Sequence, residues 1–261
     1  MKKKKRYIVI LVLIIIYVIS MFLFAEKDDS VKYKNDALTL IIGDNTIWQN
    51  NKGKWLNITA EKTIEELNWL EYDVYVDNKK LGNYYLWNDD EQWFLFDKNK
   101  NAVNIEGNLI AYQSTYDLKL KDFISEEIKN YYNVQKILKE NNVDSTADFT
   151  VATETNLDID NDGNEETLYF VSNAFPMDFN PNKIFSFVFM LKDGQLYKLY
   201  NSVEENNINN GCKPYLSAVL DVDHDKNYEL VITCAEYSVI KPTVMLYKLV
   251  DDEFKILISN K

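Results

Sequence analysis

Two short stretches of the chain carry carboxylates at alternate positions, which is the spacing of a cation-binding loop. The first, LDIDNDGNEE, begins at Leu157, and the second, LDVDHDKNYE, begins at Leu220. Their carboxylates at loop positions 1, 3, 5 and 9 are Asp158, Asp160, Asp162 and Glu166 in the first loop, and Asp221, Asp223, Asp225 and Glu229 in the second. Like charges this close repel one another, so a cation is needed to neutralise them. Hard oxygen ligands suit Ca²⁺, which takes about six to eight of them.

Two other metal sites are excluded by the residues present. An EF-hand places its bidentate glutamate at position 12, where these loops have Tyr169 and Ile232. Both residues lie inside the strand that follows each loop. Zinc prefers histidine and cysteine ligands, and neither loop offers a matching set. The sequence therefore predicts calcium, in a structural role.

Closure at position 9 between two strands resembles the FG-GAP/VCBS repeats, which form the calcium loops of integrin-α-like propellers. The resemblance covers about residues 148–258. It implies that the carboxylates named above are side-chain ligands, and that Asn164 and Asn227 each lend a main-chain oxygen. The second loop departs from the family pattern, because Lys226 stands at the glycine position. Glycine tolerates a positive φ and lysine does not, so we expect the second site to be weaker or distorted.

The acidic loops belong to a sequence repeat that spans residues 148–261. Each unit reads as strand, acidic loop, strand and then a hairpin, with Asp158 aligned to Asp221 and Asp193 to Asp251. A unit of about four strands has the size of a propeller blade. Two blades cannot close a propeller, which needs about four or more. We expect the two units to form an open sandwich; the alternative is a small irregular β structure completed by the hairpins of the N-terminal module.

Residues 37–115 predict a small β-rich aromatic module. Strands rich in tyrosine, tryptophan and phenylalanine alternate with Asn/Asp/Lys turns, with a hairpin around Asn51–Gly53 and a short helix over 60–70. Residues 116–147 predict a helical connector, because apolar residues at 124, 128, 131 and 138 indicate one amphipathic helix over 122–142. The predicted fold class is mostly β, with this helix and one transmembrane helix.

The N-terminus predicts a membrane anchor. Residues 1–6 form a basic tail, residues 7–25 contain no charge, and residues 26–36 read as a polar linker that starts with acidic side chains. About 20 apolar residues span a bilayer, and basic flanks stay cytoplasmic. We therefore expect a single-pass protein of the cell membrane with its body outside. The competing interpretation is a signal peptide cleaved after Ala25, although its apolar region would be unusually long.

The charge of the chain limits its partners. The net charge is −12, and because the tail is basic, the rest of the chain is more acidic than this figure indicates. Such a surface repels phosphate backbones, so nucleic acid is not an expected partner. All five tryptophans lie in the N-terminal module, where an aromatic core is the simpler expectation and an exposed platform for an envelope protein or a glycan is the alternative.

The remaining reactive residues do not predict an enzyme. Cys212 and Cys234 flank the second acidic loop, and antiparallel strands would bring their sulfurs within reach of a disulfide, with two free thiols as the alternative. His224, the single histidine, lies inside that loop without a nucleophile. We therefore expect a calcium-binding recognition or adhesion module. The alternatives are a membrane-tethered envelope hydrolase that uses carboxylates, or an accessory subunit of an envelope complex.

Overall fold

The computed structural model describes residues 37–43, 46–59, 61–89, 92–104, 106–144, 148–174, 183–205, 211–236, 241–251 and 253–260. The predicted tail, transmembrane span and linker, residues 1–36, lie outside them. In the described part of the chain, no helix is long and apolar enough to cross a bilayer. Residues 37–261 belong to one compact unit, and its secondary structure is mostly β.

Eight antiparallel strands form the N-terminal sheet. They are β1 (Leu38–Ile42), β2 (Thr46–Asn51), β3 (Lys54–Asn57), β4 (Glu71–Val76), β5 (Lys79–Asp89), β6 (Gln92–Phe96), β7 (Ala102–Val103) and β8 (Leu109–Gln113). Their order in the sheet is β3-β2-β1-β8-β4-β5-β6-β7. The hairpin predicted around Asn51–Gly53 is confirmed, and Lys52 and Gly53 at its turn both have positive φ. The predicted short helix is also present as α1 (Glu61–Glu66).

The long connecting helix predicted over 122–142 is confirmed only in its second half. The connector, residues 116–147, forms β9 (Lys119–Leu120), β10 (Ser125–Glu127) and a shorter helix, α2 (Tyr132–Glu140). The apolar spacing combined two residues that flank β10 with one from the helix: Ile124 is 77% exposed, whereas Ile128 and Leu138 are buried. Two sheet edges offer hydrogen bonds to this segment, since β10 pairs with β11 (Val151–Leu157) and β9 with β15 (Cys212–Asp221). Tertiary pairing therefore overrides the local helical pattern.

Each predicted four-stranded unit forms its own antiparallel sheet. The first-repeat sheet has the order β10-β11-β12-β13-β14, and the second-repeat sheet β18-β17-β16-β15-β9. Their further strands are β12 (Glu166–Ser172), β13 (Lys183–Lys192), β14 (Gln195–Glu205), β16 (Glu229–Glu236), β17 (Thr243–Val250) and β18 (Glu253–Ser259). The connector thus supplies one added edge strand to each repeat.

The three sheets stack with the second-repeat sheet in the middle. Leu230 and Ile232 of β16 pack against the first-repeat sheet, whereas Val231 between them packs against the N-terminal sheet. Burial on both faces explains why most residues of β15 and β16 are buried, rather than every second one. The open sandwich was therefore only part of the architecture, because the N-terminal sheet adds a third layer. Across the described residues the sheets do not close into a propeller.

The two short helices cover the outer faces of this stack. Ile64 of α1 and Leu67, just beyond it, pack with the N-terminal sheet. Val134, Ile137 and Leu138 of α2 pack with the first-repeat sheet. Each helix therefore shields apolar side chains that no further sheet covers.

A buried polar contact joins the two repeat sheets. The Ser186 hydroxyl donates to the carbonyl of Cys212 (2.7 Å) and accepts from its N–H (3.1 Å), while Ser172 donates to the same carbonyl (2.7 Å). Gly211 permits this approach, because a Cβ there would lie 2.4 Å from Ile184 Cγ2. Cys212 is bonded to Cys234, with a Cα–Cα distance of 5.4 Å. These contacts fix the start of β15, at the end of the β15–β16 pair that lies opposite the second acidic loop.

Candidate functional site

The acidic loops are positioned by strand pairs of the same register. The first acidic loop (158–166) joins β11 to β12, and Leu157 pairs with Glu166 at its base. The second acidic loop (221–229) joins β15 to β16, where Leu220 pairs with Glu229. Each loop therefore starts and ends at the same place on its hairpin.

The two loops also have matching backbone conformations. Positions 4 and 6 have positive φ in both: Asn161 (59°) and Gly163 (93°) in the first loop, His224 (60°) and Lys226 (74°) in the second. The premise that lysine would not adopt this conformation is therefore wrong. Lys226 takes it at a cost of about 1–2 kcal/mol. The substitution of glycine by lysine strains the second loop without changing its shape.

The glutamate at position 9 of each loop stabilises the turn by accepting a backbone hydrogen bond. Glu166 Oε2 accepts from the N–H of Ile159, and Glu229 Oε2 accepts from the N–H of Val222, both at 2.8 Å. Both glutamates are buried, and this burial raises the pKa of each carboxyl, that of Glu229 to about 7. In each glutamate the second oxygen, Oε1, lies near a lysine ammonium, at 3.4 Å for Glu166 and 2.9 Å for Glu229.

In the first acidic loop the converging carboxylates already have partners. Asp158, Asp160 and Glu166 each place an oxygen within 4.8 Å of the others. Both oxygens of Asp158 accept backbone N–H groups, from Asp162 and Gly163, at 3.1 Å. The carboxylate of Asp162 lies outside this group and accepts from the N–H of Asn164 (2.7 Å). Asn164 itself is exposed, so three of the five predicted residues come together.

In the second acidic loop two buried carboxylate oxygens, Asp221 Oδ1 and Glu229 Oε1, are left without a hydrogen bond. Asp221, Asp223 and Asp225 each place an oxygen within 4.8 Å of the others. Asp221 is only 3% exposed, and among the described residues its Oδ1 has no hydrogen-bond partner. Asn227 donates its N–H to Asp225 Oδ1 (2.8 Å). A buried oxygen of this kind is costly unless something satisfies it, so the second loop fits a cation better than the first.

Each loop is also contacted by a lysine that the sequence reasoning missed. Lys192, at the end of β13, bonds to Asp160 and lies 3.4 Å from Glu166 Oε1. Lys248 of β17 lies 2.5 Å from Asp223 Oδ2, 2.8 Å from Asp225 Oδ2 and 2.9 Å from Glu229 Oε1. The sequence does contain a signal that could have identified these lysines: both occur in the third strand of their repeat, shortly before its hairpin turn.

The carboxylates of the acidic loops raise the pKa of both lysines. Burial by itself lowers the pKa of an ammonium group, but the hydrogen bond to Asp160 and the charge of Glu166 raise the pKa of Lys192 overall. Hydrogen bonds to Asp223 and Asp225, together with the charge of Glu229, likewise raise the pKa of Lys248. Both ammonium groups are therefore charged at neutral pH and neutralise part of each acidic loop.

The structure gives no support to a hydrolytic site at Glu126 and Glu154, a carboxylate pair that lines a groove. Glu126 and Glu154 are cross-strand partners on β10 and β11. Glu126 is exposed and lies 2.5 Å from the ammonium of Lys129, whose hydrogen bond lowers the Glu126 pKa. A general acid needs the opposite shift. His224 is also exposed, with its ring 6.1 Å from that of Tyr116.

The tryptophans divide between core and surface. Trp48 and Trp93 are buried, whereas Trp69 is 46% exposed. The Trp69 ring lies 6.4 Å from that of Trp87, with 14° between their planes, and 4.9 Å from that of Phe96. Phe94, which is 40% exposed, lies 6.1 Å from Trp87. We call Trp69, Trp87, Phe94 and Phe96 the aromatic surface; it lies at the β5–β6 end of the N-terminal sheet.

Comparison of the chain with family models, with curated proteins and with solved structures finds no match. The resemblance to FG-GAP/VCBS repeats therefore depends on the loop residues and their strand pairs. Of those residues, the three converging aspartates of the second acidic loop give the geometry that best fits a hard cation.

Proposed function

We propose that this protein is a membrane-anchored, extracytoplasmic, calcium-binding β-repeat module that serves in recognition or adhesion at the cell surface. Residues 7–25 would anchor it, with the C-terminal body outside. The disulfide between Cys212 and Cys234 supports an oxidising compartment. The two repeat sheets, each built around one acidic loop, would correspond to two blade-like units of the FG-GAP/VCBS type.

The unpartnered oxygen of Asp221 carries the calcium proposal. It is buried beside the carboxylates of Asp223 and Asp225, and a divalent cation would supply the missing partner. Glu229 and the main-chain oxygen of Asn227 would complete an all-oxygen shell, which is the kind that Ca²⁺ prefers. The first acidic loop would be the weaker site, since both oxygens of its Asp158 accept backbone hydrogen bonds.

Calcium-dependent melting of the full chain in detergent micelles tests this proposal. At 10 mM Ca²⁺, about 100 times a dissociation constant of about 10⁻⁴ M, bound calcium adds about 2.7 kcal/mol of stability. We therefore expect a melting temperature about 5–10 °C higher than in excess chelator. The variant Asp221→Asn should lose most of this rise. Asp251→Asn, at the exposed β17–β18 turn, is the matched control and should keep it. Equal melting temperatures with calcium and chelator would refute calcium binding.

The aromatic surface supports the recognition part of the proposal. Exposed indole and phenyl rings clustered on one sheet face can contact a glycan or an envelope protein through their apolar faces. We expect the double variant Trp69→Ala/Trp87→Ala to lose binding to cell-envelope fractions, whereas Trp55→Ala on β3 should retain it. Separate assays on purified wall glycans and on solubilised membrane proteins distinguish the two ligand classes. Unchanged binding by the double variant would remove this surface from the proposal.

A further inference from the structure

The ammonium of Lys248 lies where a cation bound to the second acidic loop would have to lie. It is within 2.9 Å of an oxygen of Asp223, of Asp225 and of Glu229. These are three of the four carboxylates expected to bind calcium. The Lys248 side chain is only 12% exposed, so it is packed against its neighbours rather than extended into solvent.

Lysine and a divalent cation cannot both occupy this position. Two positive charges a few ångströms apart repel strongly, and repulsion is greatest where water is excluded. The oxygens that bond to Lys248 would also have to turn toward the metal. Metal entry therefore requires the ammonium to leave. The ammonium lies 2.5 Å from Asp223, whose side chain is 53% exposed, so we expect it to leave on that side.

The two loops differ in whether any carboxylate oxygen remains without a hydrogen bond when the lysine is in place. In the first acidic loop, Lys192 and backbone N–H groups together provide partners for both oxygens of Asp158, Asp160 and Glu166. In the second, Lys248 is present and Asp221 Oδ1 is still unpartnered and buried. An ammonium thus satisfies the first loop, whereas it satisfies the second only in part.

We propose that Lys248 is a built-in competitor for the calcium site: it holds the second acidic loop together without metal and is displaced when a divalent cation binds. This proposal rests on the proposed function, since it concerns how the same site is regulated. Its consequence is that calcium binds weakly, because each binding event must first break the contacts of Lys248. Only high exterior calcium would then fill the site.

Calcium titration of the full chain in detergent, followed by calorimetry, tests the competition. Lys248→Met keeps the length and apolar stem of the side chain and removes its charge. We expect its dissociation constant for Ca²⁺ to be at least tenfold lower than that of the wild type. Its melting temperature should be lower than that of the wild type in chelator and should recover in calcium. Lys192→Met is the matched control and should leave the affinity of the second loop unchanged.

The outcomes separate the two proposals. If neither the wild type nor Lys248→Met binds Ca²⁺ at 10 mM, the calcium proposal fails. If both bind with the same dissociation constant, calcium binding stands and the competition is refuted. A second measurement on the wild type does not depend on the folding of a variant: lysine acetylation read by mass spectrometry. We expect acetylation of Lys248 to rise severalfold with saturating calcium, and continued protection of Lys248 would overturn the proposal.

Discussion

The disulfide between Cys212 and Cys234 should make a large and separable contribution to stability. The two cysteines are 22 residues apart, and the segment between them contains the whole second acidic loop. Both side chains are buried between the repeat sheets. Reduction would free this segment in the unfolded chain while leaving both sulfurs available to pack. Reduction therefore isolates the effect of the crosslink from the effect of lost packing.

The size of the effect follows from the length of the closed segment. For 22 residues, the chain-entropy relation gives about 3.4 kcal/mol at 25 °C. In a domain of roughly this size, 1 kcal/mol shifts the melting temperature by about 2–4 °C. Reduced protein should therefore melt about 7–14 °C below oxidised protein. Cys212→Ala/Cys234→Ala should melt lower still, because it also removes buried atoms.

Thermal unfolding followed by circular dichroism, in chelator, measures this difference. The double alanine variant is the control for the reductant and should melt at the same temperature with and without it. A wild-type shift below about 2 °C on reduction would show that the crosslink does not restrict the unfolded chain as argued. A shift of the double variant would show instead that the reductant acts elsewhere.

Three further predictions concern single side chains. Ser186→Ala should destabilise the protein by about 1–3 kcal/mol in urea unfolding, because it leaves the buried N–H of Cys212 without its acceptor; no change would mean that another group replaces the hydroxyl. Lys226→Gly should stabilise by about 1 kcal/mol by relieving a φ of 74°, whereas Lys226→Ala, which keeps the strain, should not. The Asp97 pKa, lowered by hydrogen bonds from Asn101, should rise in Asn101→Ala when followed by carbon NMR. Since the folded-state pKa is depressed, the stability from this carboxylate is present above its ordinary pKa and lost as pH falls; equal titration curves would contradict the assignment.

The local features of this chain could be predicted because they depend on neighbouring residues. The hairpin turn at Lys52 and Gly53, the four strands of each repeat and the acidic loops all follow from short-range spacing and turn chemistry. The disulfide followed from the same logic, since pairing of β15 with β16 brings Cys212 near Cys234. Each of these features depends on residues that are close in sequence or that lie on one pair of neighbouring strands.

The features that the sequence did not reveal depend on contacts between distant segments. The first half of the helix predicted over 122–142 is not helical because edge hydrogen bonds to β11 were available to it, and the residues just before it pair with β15.

Similarly, the N-terminal sheet became a third layer because the outer face of the second-repeat sheet is apolar and needs cover. Neither the pairing partner nor the face to be covered is visible in a local pattern.

The sequence by itself determined the two acidic loops, because alternate carboxylates between strands dictate a turn that gathers negative charge. Only the tertiary structure decided which groups contact those carboxylates. Strand pairing brings Lys192 and Lys248 to the loops from the neighbouring β13 and β17, and packing buries Asp221 with one oxygen unpartnered. The physical reason is that an ion pair across neighbouring strands depends on register and burial, which exist only in the folded chain.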